Sequence, residues 1–284
     1  MRNDDSIFAE DAWVRRGGGK ILAYMGRPLK DGLNREVASK FVREKGALGA
    51  MWTYDHGYCD EGPWYRCICD SADYDIDKIT GKTARNCTRR GIKECDVRPI
   101  DYVWLGDNGY EVYINAVSRY TNFKPVSKET FRKEMYKHSG EPGREALGVF
   151  INEKLVAYTT LLVCDETVRV CGSKFDPAYS KAFPMYALYY TIAHHYLKEK
   201  GYKEVDNGTR PLLHETDISD FLLRLGWRKD YGRLGIYLTR PVRAVLSIAR
   251  IFSKVCKFLL PSRYYAILES LLLAQDIANA TSKH

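Results

Sequence analysis

Leu147-Gly148-Val149-Phe150-Ile151-Asn152-Glu153-Lys154-Leu155-Val156-Ala157-Tyr158-Thr159-Thr160-Leu161-Leu162-Val163-Cys164-Asp165-Glu166-Thr167-Val168-Arg169-Val170-Cys171-Gly172 reads as three strands in succession. Asn152-Glu153 and Asp165-Glu166 interrupt runs rich in β-branched and apolar residues. Connections this short join antiparallel neighbours, so the stretch is a meander. Residues 184–200 follow as a helix. Met185, Leu188, Tyr189, Ile192, Tyr196 and Leu197 form its apolar stripe, Pro184 suits its first turn and Gly201 closes it. A strand over 202–206 comes next. A helix over 217–225 is then capped by Thr216 and stopped by Gly226, and a strand over 234–238 ends the series. Strands alternating with helices in this order predict an α/β (α+β) protein.

Upstream, residues 1–45 are weakly organised. Arg15-Arg16-Gly17-Gly18-Gly19-Lys20 follows no apolar strand and lacks a Gly-Lys-Ser/Thr ending, so it reads as a surface loop. A short helix is expected over 34–45, ending at Gly46. Strands over 47–54 and 64–69, with a polar turn between them, read as a hairpin. Residues 75–93 read as a basic helix. Lys78, Lys82, Arg85, Arg89 and Lys93 would share one face, which either meets a phosphorylated ligand or is simply solvated. A strand over 94–100, a helix over 108–120 and a helix from 128 to 138 capped by Ser127 complete this half.

The 284 residues carry a formal charge of +8, which suits an anionic partner but does not choose among a phosphorylated cofactor, nucleic acid and a membrane surface. Residues 1–12 are polar and acidic, so no signal peptide is expected, and no apolar run is long enough to span a bilayer. The eight cysteines are then expected as reduced thiols in the cytoplasm. Their spacing does not make paired zinc knuckles, and no metal is expected. From 240 onward the chain is helical and amphipathic. Arg240, Arg243, Arg250, Lys254 and Lys257 lie near one face, and Val242, Val245, Leu246, Ala249, Phe252, Val255, Cys256 and Leu259 on the other. Pro261 breaks this helix and Ser262 caps a second, running to about 278. Such faces suit either packing on the domain or peripheral contact with an anionic membrane.

The most varied polar stretch is Asp206-Asn207-Gly208-Thr209-Arg210-Pro211-Leu212-Leu213-His214-Glu215-Thr216. A strand-to-helix connection needs only about two to six residues. A longer one rich in acids, an amide, a guanidinium and an imidazole is either a shaped pocket or a hydrogen-bonded structural loop. His214, Asp206 and Glu215 are candidate bases, since an imidazole or carboxylate can take a proton from a nucleophile. His214 is equally suited to a hydrogen bond at the helix entry. Arg210 either holds an anionic substrate group or pairs with Asp206 or Glu215, and Asn207 is a candidate substrate contact. No Ser-His-Asp order or nucleophile elbow is present.

The order from 147 to 238 resembles the acyl-CoA N-acyltransferase (GNAT) superfamily. The resemblance rests on the 149–172 meander, the Asp176-Pro177-Ala178-Tyr179 step into the 184–200 helix, and the helix-strand end over 217–238. Lys82-Thr83-Ala84-Arg85-Asn86-Cys87-Thr88-Arg89-Arg90-Gly91, with Asn207-Gly208-Thr209-Arg210 and His214-Glu215-Thr216, resembles bacterial GNAT-like proteins related to FemAB-type transferases. It implies a strongly bent mixed sheet flanked by helices over 47–240, with an N-terminal extension over 1–46 and C-terminal amphipathic helices over 241–284. It further implies transfer of an acyl group from acetyl-CoA or another acyl-CoA, bound as co-substrate, to an amino group of a small molecule or sugar. The donor's phosphates would meet a helix N-terminus near Pro184, with Lys174, Tyr179, Tyr186, Arg85 and Arg89 on the donor side and the two tyrosines as donors to a leaving thiolate. The family's Arg/Gln-x-x-Gly-x-Gly/Ala loop is absent between Gly172 and Pro184. FemAB-type transferases instead use aminoacyl-tRNA, and a GNAT-like module that only binds a partner is the third alternative.

Overall fold

The computed structural model describes residues 13–16, 19–24, 29–118, 125–212 and 218–282. In chain order the elements begin β1 (Trp13–Arg16), β2 (Ile21–Tyr24), α1 (Arg35–Glu44), β3 (Gly49–Tyr54), β4 (Tyr65–Cys69), α2 (Lys82–Glu94) and β5 (Asp96–Ile100). They continue with α3 (Tyr102–Asn108), α4 (Tyr110–Val117), α5 (Lys128–His138), β6 (Arg144–Ile151), β7 (Lys154–Cys164), β8 (Thr167–Phe175) and α6 (Pro184–Ala193). The last are β9 (Glu204–Thr209), α7 (Ile218–Arg224), β10 (Arg228–Tyr231), β11 (Arg233–Leu238), α8 (Arg240–Ile251), α9 (Ser253–Leu259) and α10 (Ser262–Thr281). The chain divides into two compact units: Met1–Arg66, Thr209–Thr216 and Asp230–His284 form one, and Cys67–Gly208 with Asp217–Lys229 the other.

The first unit holds a four-stranded sheet in the order β1-β2-β3-β11. Asn34 caps α1 by accepting from Val37 N at 2.9 Å, and Ala38, Phe41 and Val42 pack beneath it with Trp13, Leu22 and Trp52. Opposite Trp52 on β11 stands Gly235, where any Cβ would lie 2.1 Å from the indole, so only glycine fits. On α10, Ala274, Ile277 and Ala278 cover Trp64 and Leu234.

The second unit is built on a seven-stranded sheet, order β10-β4-β9-β8-β7-β6-β5. The meander is present as β6, β7 and β8, all antiparallel, and Asn152 and Glu153 take the positive φ values of 48° and 62° that a two-residue hairpin turn needs. Tyr102, Leu105, Val112, Tyr113, Phe131, Phe150 and Tyr158 bind α3, α4 and α5 to the sheet. Gly91 brings α2 against the start of α6.

Several expectations need correction. The strands at 49–54 and 65–69 do not form a hairpin: β3 pairs with β2 and β11, while β4 lies between β10 and β9. The basic helix begins only at Lys82, because Ile79 is buried in extended backbone and Gly81 occupies the N-cap. Lys78 belongs to a separate 3-10 turn and pairs with Asp73 at 2.8 Å, so the cationic row is four residues, not five. The helix expected over 108–120 begins at Tyr110. It is preceded by an unexpected helix, α3, which Asp101 caps through Trp104 N at 2.7 Å. Past α6 the helix widens into a π-turn over His194–Glu199. The C-terminal segment breaks at Phe252 as well as at Pro261, and Pro261, not Ser262, occupies the N-cap of α10.

Candidate functional site

The parallel strands β8 and β9 share three rungs, Thr167↔Glu204, Val168↔Val205 and Arg169↔Asp206. Beyond Arg169 and Asp206 both strands continue, β8 to Phe175 and β9 to Thr209, without further rungs between the two. The reason lies on the other edge of β8. Thr160 faces Gly172 and Leu161 faces Val170, so Cys171 is an extra residue in a β-bulge. A bulge bends its strand and sharpens the local twist, which turns β8 away from β9. The result is an opening in the middle of the sheet where the β8–β9 ladder stops.

The groups around the opening are polar and ordered. At its base Arg169 donates to Asp206 Oδ2 from Nε (3.2 Å) and from a terminal nitrogen (3.0 Å), while Asp206 Oδ1 accepts Gly208 N at 2.6 Å. Asp206 is buried and both its oxygens are engaged. Further along, Tyr189 of α6 bridges the two strands. Its hydroxyl donates to Asn207 Oδ1 at 2.7 Å and lies 3.3 Å from Ser173 Oγ, which in turn lies 2.9 Å from Thr159 Oγ1. Burial pushes the Tyr189 phenol up to about 12, so it remains a hydrogen-bond donor across the physiological range. Lys174 is half-buried on β8, its Nζ donates to Ser173 O at 3.3 Å, and burial pulls its amine below the usual lysine range. Successive strand residues face opposite sides, so Ser173 and Lys174 present their groups to opposite faces of the sheet.

Of the residues singled out from sequence, the fold brings Asp206, Asn207 and Lys174 to the two strands that flank this opening. Asp206 to Thr209 lie in β9, not in a loop. Arg210 belongs to the first unit, where a terminal nitrogen donates to Pro63 O at 3.0 Å, and the partner of Asp206 is Arg169 instead. Tyr179 stands in a 3-10 turn, its ring centre 5.7 Å from Lys154 Nζ. Tyr186 lies in the first turn of α6 and packs edge-on against Phe221 at 4.9 Å. Arg85 and Arg89 are on α2, and among the described residues neither has an ion-pair partner. His214 and Glu215, with the cap Thr216, lie outside the described residues. Arg169, Ser173 and Tyr189 were not anticipated. Tyr189 read as one more member of an apolar stripe, although a buried tyrosine hydroxyl requires a partner and so signals a nearby polar group.

The first unit holds a second polar cluster that was not anticipated. Arg66 Nε donates to Asp230 Oδ2 at 2.7 Å, and His56 Nδ1 lies 3.4 Å from the same oxygen, all three side chains being nearly buried. The His56 ring lies against Gly232, where a Cβ would come within 2.8 Å of it. Burial pushes the Asp230 carboxyl up, but His56 and Arg66 outweigh it and hold the carboxyl below its ordinary value. A carboxyl lowered by folding stabilises the protein above its unfolded pKa of about 3.9, and that contribution fades as the pH drops through the lower folded value. The urea midpoints of wild type and Asp230→Asn should therefore differ at pH 7 and converge in acid below about pH 4. A difference that does not change with pH would remove the cluster from the acid response.

No protein-family model matches the chain, and no curated protein sequence does. Solved structures do. One is the C-terminal domain of a protein described as a lysylphosphatidylglycerol synthetase of Agrobacterium fabrum, with a TM-score of 0.53 at 12% identity, covering 86% of this chain and 84% of that one. FemX gives 0.53 at 9% identity over 76% and 77%. The L-PGS of Bacillus licheniformis gives 0.50 at 15% identity over 92% and 85%. With the mixed sheet, its flanking helices and the parted parallel strands, these likenesses place the chain in the GNAT-like fold.

Proposed function

We propose that this chain transfers an aminoacyl or acyl group from an activated ester to an amino group, at the opening between β8 and β9. The observation that carries the reading is the end of the parallel ladder at Arg169 and Asp206, with Ser173, Tyr189 and Asn207 ordered just beyond it. An opening through a sheet lets donor and acceptor approach from opposite faces, which suits direct transfer. The acceptor nitrogen attacks the donor carbonyl, a C–N bond forms as the bond to the leaving oxygen breaks, and the nitrogen's proton passes to a base and from it to the leaving oxygen, which departs as a hydroxyl. Asn207, its Oδ1 held by Tyr189, can offer its amide N–H to the oxyanion. Lys174, its amine made less basic by burial, is the proposed proton acceptor.

For the donor, aminoacyl-tRNA is favoured by two features. The first turn of α6 is closed by α2, since a Cβ on Gly91 would lie 2.8 Å from Phe183 O and 3.2 Å from Ala187 N. Meanwhile Lys82, Arg89, Arg90 and Lys93 are exposed along α2, beside half-buried Arg85, as a surface for phosphates. A coenzyme A thioester is the second reading, supported by the parted strands that the GNAT resemblance assigns to a thioester. The fluorescence anisotropy of labelled tRNA should rise on binding and fall steeply with salt, and Arg85→Glu with Arg89→Glu should weaken binding about tenfold or more at low salt. Stabilisation by coenzyme A with no tRNA binding would favour the thioester. Response to neither would leave a binding module without this chemistry.

A further inference from the structure

The C-terminal helices of the first unit are apolar on two sides, and packing explains only one. On α8, Leu246 and Ala249 are buried, Leu246 against Ile21 and Leu238. Val245, Ile248 and Ile251 recur at helical spacing on a different face of the same helix, Phe252 follows at its C-cap, and all four are exposed, Ile251 by 77%. The apolar surface continues on α9, where Phe258 is 88% and Leu259 75% exposed. Single exposed apolar residues are ordinary, but six large ones over two successive helices mark a surface that meets something apolar.

Charge decides what that is. From Arg240 to Leu268 the sequence has six cations, Arg240, Arg243, Arg250, Lys254, Lys257 and Arg263, and no Asp or Glu. On α8, Arg240 borders the exposed stripe, Arg250 lies nearer the buried Leu246, and Lys257 is exposed on α9. Arg250 also reaches Asp276 of α10 at 2.6 Å. A second copy of the chain would bring cations against cations here. A lipid surface offers what both features need at once: hydrocarbon for the large side chains, and mobile anionic headgroups for exposed cations such as Arg240 and Lys257. No helix among the described residues is long and apolar enough to cross a bilayer, so the contact is made in the plane of the interface.

We propose that the α8–α9 face docks peripherally on an anionic membrane. The proposal stands apart from the transfer reaction, since no group at the β8–β9 opening takes part. The full chain should float with vesicles of phosphatidylcholine containing about 30% phosphatidylglycerol, bind pure phosphatidylcholine far less, and be released by about 0.5 M salt. Phe258→Asp and Ile251→Asp each replace a side chain that is mostly exposed, so folding should survive, as circular dichroism would report. Each should lower the partition coefficient about tenfold or more. Lys257→Glu should weaken binding at low salt and have less effect at high salt. Failure to bind phosphatidylglycerol vesicles would overturn the proposal, as would binding that ignores both apolar variants. Self-association that depends on Ile251 in place of vesicle binding would also overturn it and assign the face to a protein contact.

Discussion

Asn207→Ala should lower turnover by about two to three powers of ten while leaving the Michaelis constants and the melting temperature nearly unchanged. The side chain is half-exposed on β9, and the hydroxyl of Tyr189 occupies its carbonyl oxygen at 2.7 Å, which turns its amide nitrogen into the remaining donor beside the opening. A donor held in this way acts mainly on charge that develops during the reaction, so its loss falls on the transition state and not on ground-state binding. Asn207→Asp should be at least as damaging, because a carboxylate would repel the oxyanion that the amide is proposed to hold. Tyr189→Phe is the finer probe. It keeps the ring packed against Phe221 and Trp227 but removes the group that orients Asn207, so a fall of about tenfold is expected. Full activity in Asn207→Ala would put the reacting carbonyl elsewhere.

The elements legible from sequence were those whose signals are local. Asn152-Glu153 sits where a two-residue turn must, Ser127 accepts from Thr130 N at 3.2 Å as a cap should, and Gly46 takes the positive φ of 60° that ends α1. The misread elements depend on distant partners. β2 and β10 are only four residues each, and nothing within four residues announces a strand whose neighbour, β3 for β2 and β4 for β10, lies far along the chain. The false hairpin at 49–69 has the same origin: each strand has the right composition, but pairing is settled by residues 189 positions away, as Leu238 on Gly49 shows. At the candidate site, Asp206 and Asn207 were visible as unusual polar residues after an apolar strand. Their meaning was not, because it comes from Arg169 and Tyr189, which a strand and a helix supply. A bulge at Cys171, the event that parts the strands, leaves almost no mark in the sequence beyond the adjacent Gly172.

Asp206 should prove to be a positioning residue and not the base, and its substitution should show this by separating stability from chemistry. Its carboxylate is 3% exposed and accepts from Arg169 and from Gly208 N, so it joins the last shared rung of β8 and β9 to the first residues of the opening. Removing one partner of a buried ion pair typically costs about 3–5 kcal/mol, because the other charge loses compensation that water cannot restore. Asp206→Ala should therefore lower the melting temperature by roughly 10 °C. Asp206→Asn keeps an acceptor for Gly208 N and should lose less. In the folded fraction of Asp206→Asn, turnover should stay within about tenfold of wild type and the acid limb of the pH–rate profile should not move, since that limb would belong to another group. The double variant Arg169→Met with Asp206→Leu supplies the contrast. Replacing a buried pair by apolar groups of similar volume is often neutral or better for stability, so it should recover much of the lost melting temperature. It would not recover turnover, because β9 would no longer be held at the depth that places Asn207. A stable Asp206→Asn protein whose turnover falls by about a thousandfold, with the acid limb abolished, would reverse the assignment and make Asp206 the base.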